Sequence, residues 1–466
     1  MLRRGVPDGA CDRNAQFAAW KEGSAPSAQR RVALHFCPEA RRCAFVITDH
    51  GDRTRLSVAR AVYRGHSRTD HPHYGKRGIL AAGVRVTQGV FWSGWEGYDH
   101  LENPEFLALM KEIHEAGCEV CPHNTSERFS LTPDEVRGNI RRYAQHFGLT
   151  TWIDHHRLAS NLNREGMNPR SEHYVLDLLK SLGLKAAWSY WDEFAYPPGP
   201  QLNCLNPPSC WQYLKRLLRD LTPWRGRGGA PRSLIMSLTS LIHRAIGSDA
   251  FGSLFDLAMG LGGQPGVALR TAVGELGAHV AARLFGSDRP PGPQFPLRWD
   301  ERRQISWFDT VRIARVAAVY SEAALDRLIR EAGIHVGHTY LALQSPRYSD
   351  LAFSPDGDGF AVEERFQRFL DVLSAAVRQK LVWNPTIREM TGYYESLAAV
   401  RLTPEAGSRW SLRNGAAVPV EGVTLRSLAP LCAAGSVAME SRQVGREYWH
   451  CLDLPPHAAV ELTEVV

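Results

Sequence analysis

Between residues 31 and 396, short apolar runs alternate with stretches of helical spacing. Each of five runs passes directly into acidic or imidazole side chains. Cys43–Ile47 leads into Thr48-Asp49-His50-Gly51-Asp52, and Cys118–Pro122 into His123. Thr150–Ile153 leads into Asp154-His155-His156, Ala186–Tyr190 into Trp191-Asp192, and Gly333–Gly337 into His338. Read as strands, the runs place these polar groups at strand C-terminal ends, where barrel enzymes gather catalytic and metal-binding side chains. The spacers read as helices. Asn103-Pro104-Glu105 is a capped start with Phe106, Leu109, Met110 and Ile113 on one face, stopped by Gly117. Thr132-Pro133-Asp134-Glu135 is a capping box that opens a helix to about Phe147. Further helices are predicted over Glu172–Leu182, Ser321–Ala332 and Val362–Lys380, with a short Leu381–Trp383 strand and a last helix to Ser396. Strands separated by helices of this length predict parallel βα units.

The pattern changes in three places. Residues 1–30 are polar and small and read as a loose leader. Pro197-Pro198-Gly199-Pro200 and Arg289-Pro290-Pro291-Gly292-Pro293 bracket a helical insertion, residues 200–300, whose helical part (211–285) has few acids. It reads as a cap on the barrel, or as an amphipathic element making peripheral membrane contact through Arg216, Arg219, Arg225, Arg227 and Arg232. Residues 397–466 carry short alternating segments divided by Gly, Pro or Asn, which predicts a small C-terminal antiparallel β module.

Composition bounds the function. With 44% hydrophobic and 22% charged residues, the 466-residue chain has the makeup of a globular protein with a large core. A net charge of +6 is mild, favours an anionic sugar or head group, and comes with no nucleic-acid motif. Nine irregularly spaced cysteines exclude a regular disulfide framework. Basic residues near Met1 are followed by no apolar signal core, and no run of 18 apolar residues occurs, so the expected compartment is cytoplasmic.

The strand-end residues carry the candidate chemistry. In Thr48-Asp49-His50-Gly51-Asp52, a carboxylate and an imidazole side by side divide metal binding from proton transfer, or simply cap a turn. His123 and Glu127, four apart, meet one cation if their loop turns helically. Cys118 and Cys121 have no second pair and read as core packing. His155 and His156 offer one ligand and one substrate contact, with Asn161 and Asn163 following on the same loop as partners for sugar hydroxyls. Trp188, Tyr190 and Trp191 surround Asp192 and suit a sugar ring, or a core rich in aromatics. His338, followed by Tyr340, is placed as a general acid. His66, His71 and His73 fall in a polar loop that rims the pocket or, as the favoured reading, is simply solvated.

Taken together, the Thr-Asp motif, the His after the Cys118 run, the Trp-Asp pair and the late His resemble the polysaccharide deacetylases of the glycoside hydrolase/deacetylase superfamily, over about residues 40–395 without the insertion. The resemblance implies a distorted (β/α) barrel of about seven strands, one divalent metal ion, commonly zinc, and removal of N- or O-acetyl groups from a carbohydrate or glycoconjugate. It implies Asp49 as general base, His338 as general acid, and His50, His123 and Glu127 as the metal set. Asp52, His155, His156, Trp188, Tyr190, Asp192 and Tyr340 are left on the substrate side. Two departures stand out: His50 occupies the place of the family's second Asp, and Glu127 that of its second His. A glycosidase using Asp49 and Asp192 as a carboxylate pair, and a non-catalytic carbohydrate-binding protein on a degenerate barrel, are the competing readings.

Overall fold

The computed structural model describes residues 31–128, 131–155, 158–194, 202–205, 295–313, 315–343, 350–435 and 437–465, and gives only the backbone for 190–194. The helical part of the predicted insertion (211–285) and His156 lie outside the described residues.

After an edge strand β1 (Val32–His35), the chain enters β2 (Cys43–His50), buried along its whole length as expected of a strand covered on both faces. Helices α1 (Leu56–Arg64) and α2 (Gly78–Ala82) return it to β3 (Thr87–Val90), and α3 (Pro104–Glu115) leads to β4 (Glu119–Pro122). Asn103 caps α3 by accepting the Glu105 N–H at 3.0 Å, and Phe106, Leu109, Met110 and Ile113 are the buried face, as the spacing predicts. The Thr132/Glu135 capping box opens α4 (Pro133–Phe147), which leads to β5 (Thr151–Trp152).

The next helix, α5 (Leu176–Ser181), begins later than the pattern predicts. The side chains of Asn168 and Ser171 accept the N–H groups of Arg170 and His173, and such turn bonds compete with the helix ladder. There follow β6 (Ala186–Phe194), the hairpin β7 (Leu297–Asp300) and β8 (Ile305–Arg312), α6 (Val316–Val319), α7 (Glu322–Glu331) and β9 (Ile334–Thr339). A second hairpin, β10 (Phe353–Asp356) with β11 (Gly359–Val362), precedes α8 (Glu364–Arg378), β12 (Val382–Trp383) and α9 (Ile387–Leu397). The sequence pattern did not reveal either hairpin. In β8, Asp309 and Arg312 interrupt the apolar run and mask the strand.

Seven parallel strands form a nearly closed barrel in chain order, β2-β3-β4-β5-β6-β8-β9, with β9 back beside β2. A parallel bridge between His123 and Ile153 joins the β4 and β5 ends. β12 pairs with the entry end of β2, Val382 against Cys43. Side-chain alternation then sorts β2: Cys43, Phe45 and Ile47 pack outward with Val58 and Val62 of α1 and Phe366 and Phe369 of α8. The alternate positions, ending in His50, face the barrel interior.

The C-terminal region is antiparallel, as its alternation predicts. β13 (Val400–Pro404), β14 (Arg409–Asn414), β19 (Ala459–Glu464) and β16 (Leu431–Ala433) form one sheet. β15 (Val420–Ser427), β18 (Glu447–Leu454) and β17 (Met439–Val444) form another. β1 completes the second sheet by pairing with β15, so this region draws its edge strand from ahead of the barrel. Among the described residues, no helix is long and apolar enough to cross a membrane.

Candidate metal centre

A tight turn at the end of β2 places the first candidate ligand, Asp52. The Asp52 N–H donates to the His50 carbonyl at 2.8 Å, and the Gly51 N–H to that of Gly89 at 2.9 Å. A Cβ on Gly51 would stand 2.5 Å from that Gly89 oxygen, so only glycine fits. Arg53 follows in the left-handed region at φ 49°, which costs a non-glycine residue roughly 1 kcal/mol. Its N–H is held by Glu127 Oε1 at 2.6 Å.

The second and third candidate ligands, His123 and His155, follow the ends of β4 and β5. His123 follows Pro122 directly. His155 is held by its main chain: its N–H donates to Asn161 Oδ1 (3.2 Å) and its carbonyl accepts from Asn161 Nδ2 (2.9 Å). Asp154 fixes the same loop by accepting from Trp152 Nε1 (2.7 Å), the Leu162 N–H (2.8 Å) and the Asn163 N–H (3.0 Å). Burial pushes the Asp154 carboxyl up to about 6 against those bonds. Asn161 is fully buried and spends its amide on this scaffold, not on the sugar hydroxyls for which the sequence reading proposed it. Phe91 packs against both imidazoles, with ring centroids 4.8 Å from His123 and 4.7 Å from His155.

Asp52, His123 and His155 converge. Asp52 Oδ2 lies 3.2 Å from His123 Nε2, Asp52 Oδ1 3.2 Å from His155 Nδ1, and the two ring nitrogens 3.3 Å from each other. Zinc–nitrogen bonds of 2.0–2.1 Å in a tetrahedron set neighbouring donors about 3.3–3.4 Å apart. The two ring nitrogens have that spacing, each faces a different Asp52 oxygen, and one donor atom from each residue lies within 4.8 Å of the others, close enough to share one cation. Among the described residues His123 Nδ1 is buried with no hydrogen-bond partner, and Nε2 is the nitrogen that faces Asp52 and His155. Burial alone would raise the Asp52 carboxyl, but the imidazoles of His155 and His123 hold it well below the usual carboxylate range. Anionic carboxylate and imidazole nitrogens form a donor set that fits zinc. Asp52 keeps a side-chain exposure of 22%, which leaves the group open to solvent.

A second layer of rings lines the interior beside it. His50 stacks on His338 with centroids 3.5 Å apart, and its ring is 4.8 Å from that of His123. Trp188 meets both stacked imidazoles edge-on at 4.7 and 5.1 Å and donates its indole N–H to Thr310 Oγ1. Tyr340, half-buried, lies 4.8 Å from His338, with the Arg312 guanidinium over its ring at 5.3 Å. Burial, then His338 and His123, hold His50 well below the ordinary imidazole range, and among the described residues its buried Nε2 has no hydrogen-bond partner.

The cluster overlaps the sequence-derived ligand set, His50, His123 and Glu127, at one residue. His123 is in the cluster, and Asp52 and His155, read as substrate contacts, complete it. His50 joins the His338 stack, and the turn at Gly51 brings Asp52 beside His123 and His155. Glu127 is nearly buried and spends Oε1 on Arg53.

Asp49, read as the general base, shares its side of β2 with Phe45 and Ile47. Its Oδ1 accepts from Leu341 N (2.6 Å) and Thr339 Oγ1 (3.0 Å), and burial raises the carboxyl to about 7 despite these bonds. The side chains of Tyr190, Trp191 and Asp192 lie outside the described residues, and with them the carboxylate pair of the glycosidase reading. Cys118 and Cys121 are buried free thiols, pushed up by burial. Arg312, at the end of the unpredicted strand β8, was missed; its position in the barrel was the only signal for it.

A second group of two imidazoles and a carboxylate occurs away from these residues. His66 and His71 stack at 3.7 Å, with Nε2 atoms 3.6 and 3.9 Å from Asp356 Oδ2, and His73 lies edge-on to His71 at 5.0 Å. The polar loop of the sequence reading is therefore tied to the β10–β11 hairpin.

No family model matches the chain, and no curated protein matches it. Among solved structures, a match is found to Agd3, described as a novel carbohydrate deacetylase, with 9% identity and a TM-score of 0.20. It covers 36% of this chain and 31% of that one, so the chain spans under a third of the length of the structure it matches.

Proposed function

We propose that the protein is a metal-dependent hydrolase that removes an acyl group, N- or O-acetyl, from a carbohydrate or glycoconjugate. The observation that carries this reading is the spacing of Asp52, His123 and His155 at the C-terminal mouth of a parallel barrel. A divalent ion, zinc by its fit to the donor set, supplies polarisation of the acyl carbonyl and a lowered pKa for water when bound. Asp52, His123 and His155 hold it.

Proton transfer falls to the interior-facing imidazoles. His50 is kept neutral by burial, and its unpartnered Nε2 accepts a proton from the attacking water. His338, stacked on it, protonates the departing amine or alkoxide. Trp188 packs edge-on against both imidazoles, and Tyr340 offers a partly exposed ring to a sugar face. Asp49 orients the loop after β9 through Leu341 in this scheme.

The test is elemental analysis of the purified protein, together with acetate release from N- and O-acetylated oligosaccharides. About one divalent ion per chain is expected, with activity lost on chelation and regained with zinc, cobalt or manganese. Metal-free protein that none of these ions activates would sink the reading. Asp49→Asn is expected to keep acetate release and His50→Phe to abolish it; the reverse result returns the base role to Asp49.

A further inference from the structure

Asp52 reaches the ligand position only because the two residues before and after it adopt a particular turn. Gly51 meets the steric demand on one side. On the other, Arg53 stands at φ 49° without being a glycine, asparagine or aspartate. Such a residue persists when its surroundings over-determine it. The contact that does so is Glu127 Oε1, which accepts the Arg53 N–H at 2.6 Å. Glu127 is 5% exposed, and its own main chain is pinned, with its N–H on the Ser93 carbonyl and a parallel bridge joining Ser93 to Ser126. One rigid loop therefore carries both His123 and the clamp on the turn that carries Asp52.

We propose that Glu127 is a positioning residue for the metal centre: its carboxylate holds the left-handed turn at Arg53 and so sets Asp52 against His123 and His155, without itself being a ligand. The proposal rests on the reading of those three residues as a metal centre. It explains why a carboxylate is buried here at a cost to its ionisation, since burial raises it and only the Arg53 N–H leads the opposing influences. It also couples two ligands that arise from different strands, because movement of the His123 loop moves the clamp on Asp52.

Zinc titration of the full chain against a competing chelator separates the possibilities. Glu127→Ala is expected to lower zinc affinity about 10- to 100-fold, the range for loss of an outer-shell partner, while about one ion still binds at saturation. Glu127→Gln keeps the acceptor oxygen, so its affinity should stay within about threefold of wild type and its cobalt-loaded visible spectrum should not change. Arg53→Gly in the Glu127→Ala background makes the turn intrinsically accessible and should recover most of the lost affinity. Unchanged affinity in Glu127→Ala overturns the role. So does a loss in Glu127→Gln as large as in Glu127→Ala, or a loss that Arg53→Gly leaves untouched, since either marks Glu127 as a direct ligand. If Glu127→Ala does not fold, the Glu127→Gln affinity and spectrum decide. Wild-type protein that takes up no zinc overturns the metal reading itself, a result distinct from all of these.

Discussion

Two groups in this chain have the same composition, two histidines and one aspartate, yet the backbone prepares them for different work. In the pair His66 and His71, each Nδ1 accepts an N–H from two residues on, Arg68 at 3.0 Å and His73 at 3.3 Å. A neutral imidazole whose Nδ1 accepts carries its proton on Nε2. Both Nε2–H groups then face Asp356 Oδ2, and the group closes on itself as a contact between a loop and a hairpin. His123 is the opposite case. Among the described residues its Nδ1 has no partner, and its Nε2 faces Asp52 and His155. Metal-binding histidines commonly donate from their other nitrogen; in His66 and His71 that nitrogen accepts instead, whereas His123 Nδ1 accepts no main-chain N–H among the described residues. Count and spacing of ligand types are therefore poor guides without the tautomer the main chain imposes. Exposure widens the difference, since Asp356 is 49% exposed and Asp52 22%.

The largest expected effect would break this comparison most directly. His123→Ala should take the metal content from about one ion per chain to near zero with the far-ultraviolet dichroism unchanged, whereas His66→Ala should leave it intact. Elemental analysis of both variants checks this, and loss of metal from His66→Ala would reverse the assignment of the two groups.

A smaller effect concerns Asp49, whose carboxyl is buried close to the metal centre in sequence but serves the loop after β9. The folded carboxyl keeps its proton up to about pH 7, and an unfolded one only up to about pH 4. Between these values the folded state holds the extra proton, so this group's contribution to stability falls as pH rises from 4 to 7 and stays low above. The difference corresponds to at most about 4 kcal/mol. Asp49→Asn keeps an acceptor for Leu341 and Thr339 and should gain stability over wild type at pH 8 while showing no gain at pH 4. Urea denaturation at the two pH values measures it; an equal shift at both would mean that the carboxyl does not titrate in this window.

The smallest effect sharpens the role of the second group. His66→Ala should cost about 1–2 kcal/mol in the same denaturation assay, the scale of a buried polar contact and its packing. A cost that appears only in the presence of added zinc would restore a metal to that loop.

The sequence by itself determined the barrel. Apolar runs of strand length divided by capped helices admit little but parallel βα units, and strand C-terminal ends gather at one mouth whatever the residues are. The caps of α3 and α4, the buried face of α3 and the antiparallel C-terminal region follow from local chemistry of the same kind. His123 was legible for that reason, since it directly follows a strand.

Tertiary structure alone decided which neighbours join it. Asp49, His50 and Asp52 lie within four residues. The two-residue alternation of β2 turns the first outward and the second inward, and a turn fitted against Gly89 and clamped from the His123 loop delivers the third. Whether His155 or Glu127 completes the group depends on loops fixed by Asn161 and Arg53, contacts 6 and 74 residues away in the chain. The β1 strand, the β8 strand and the tautomers of His66 and His71 were hidden for the same reason. Each is set by a partner brought alongside only when the ring closes, and no local pattern of apolar and polar residues encodes that approach.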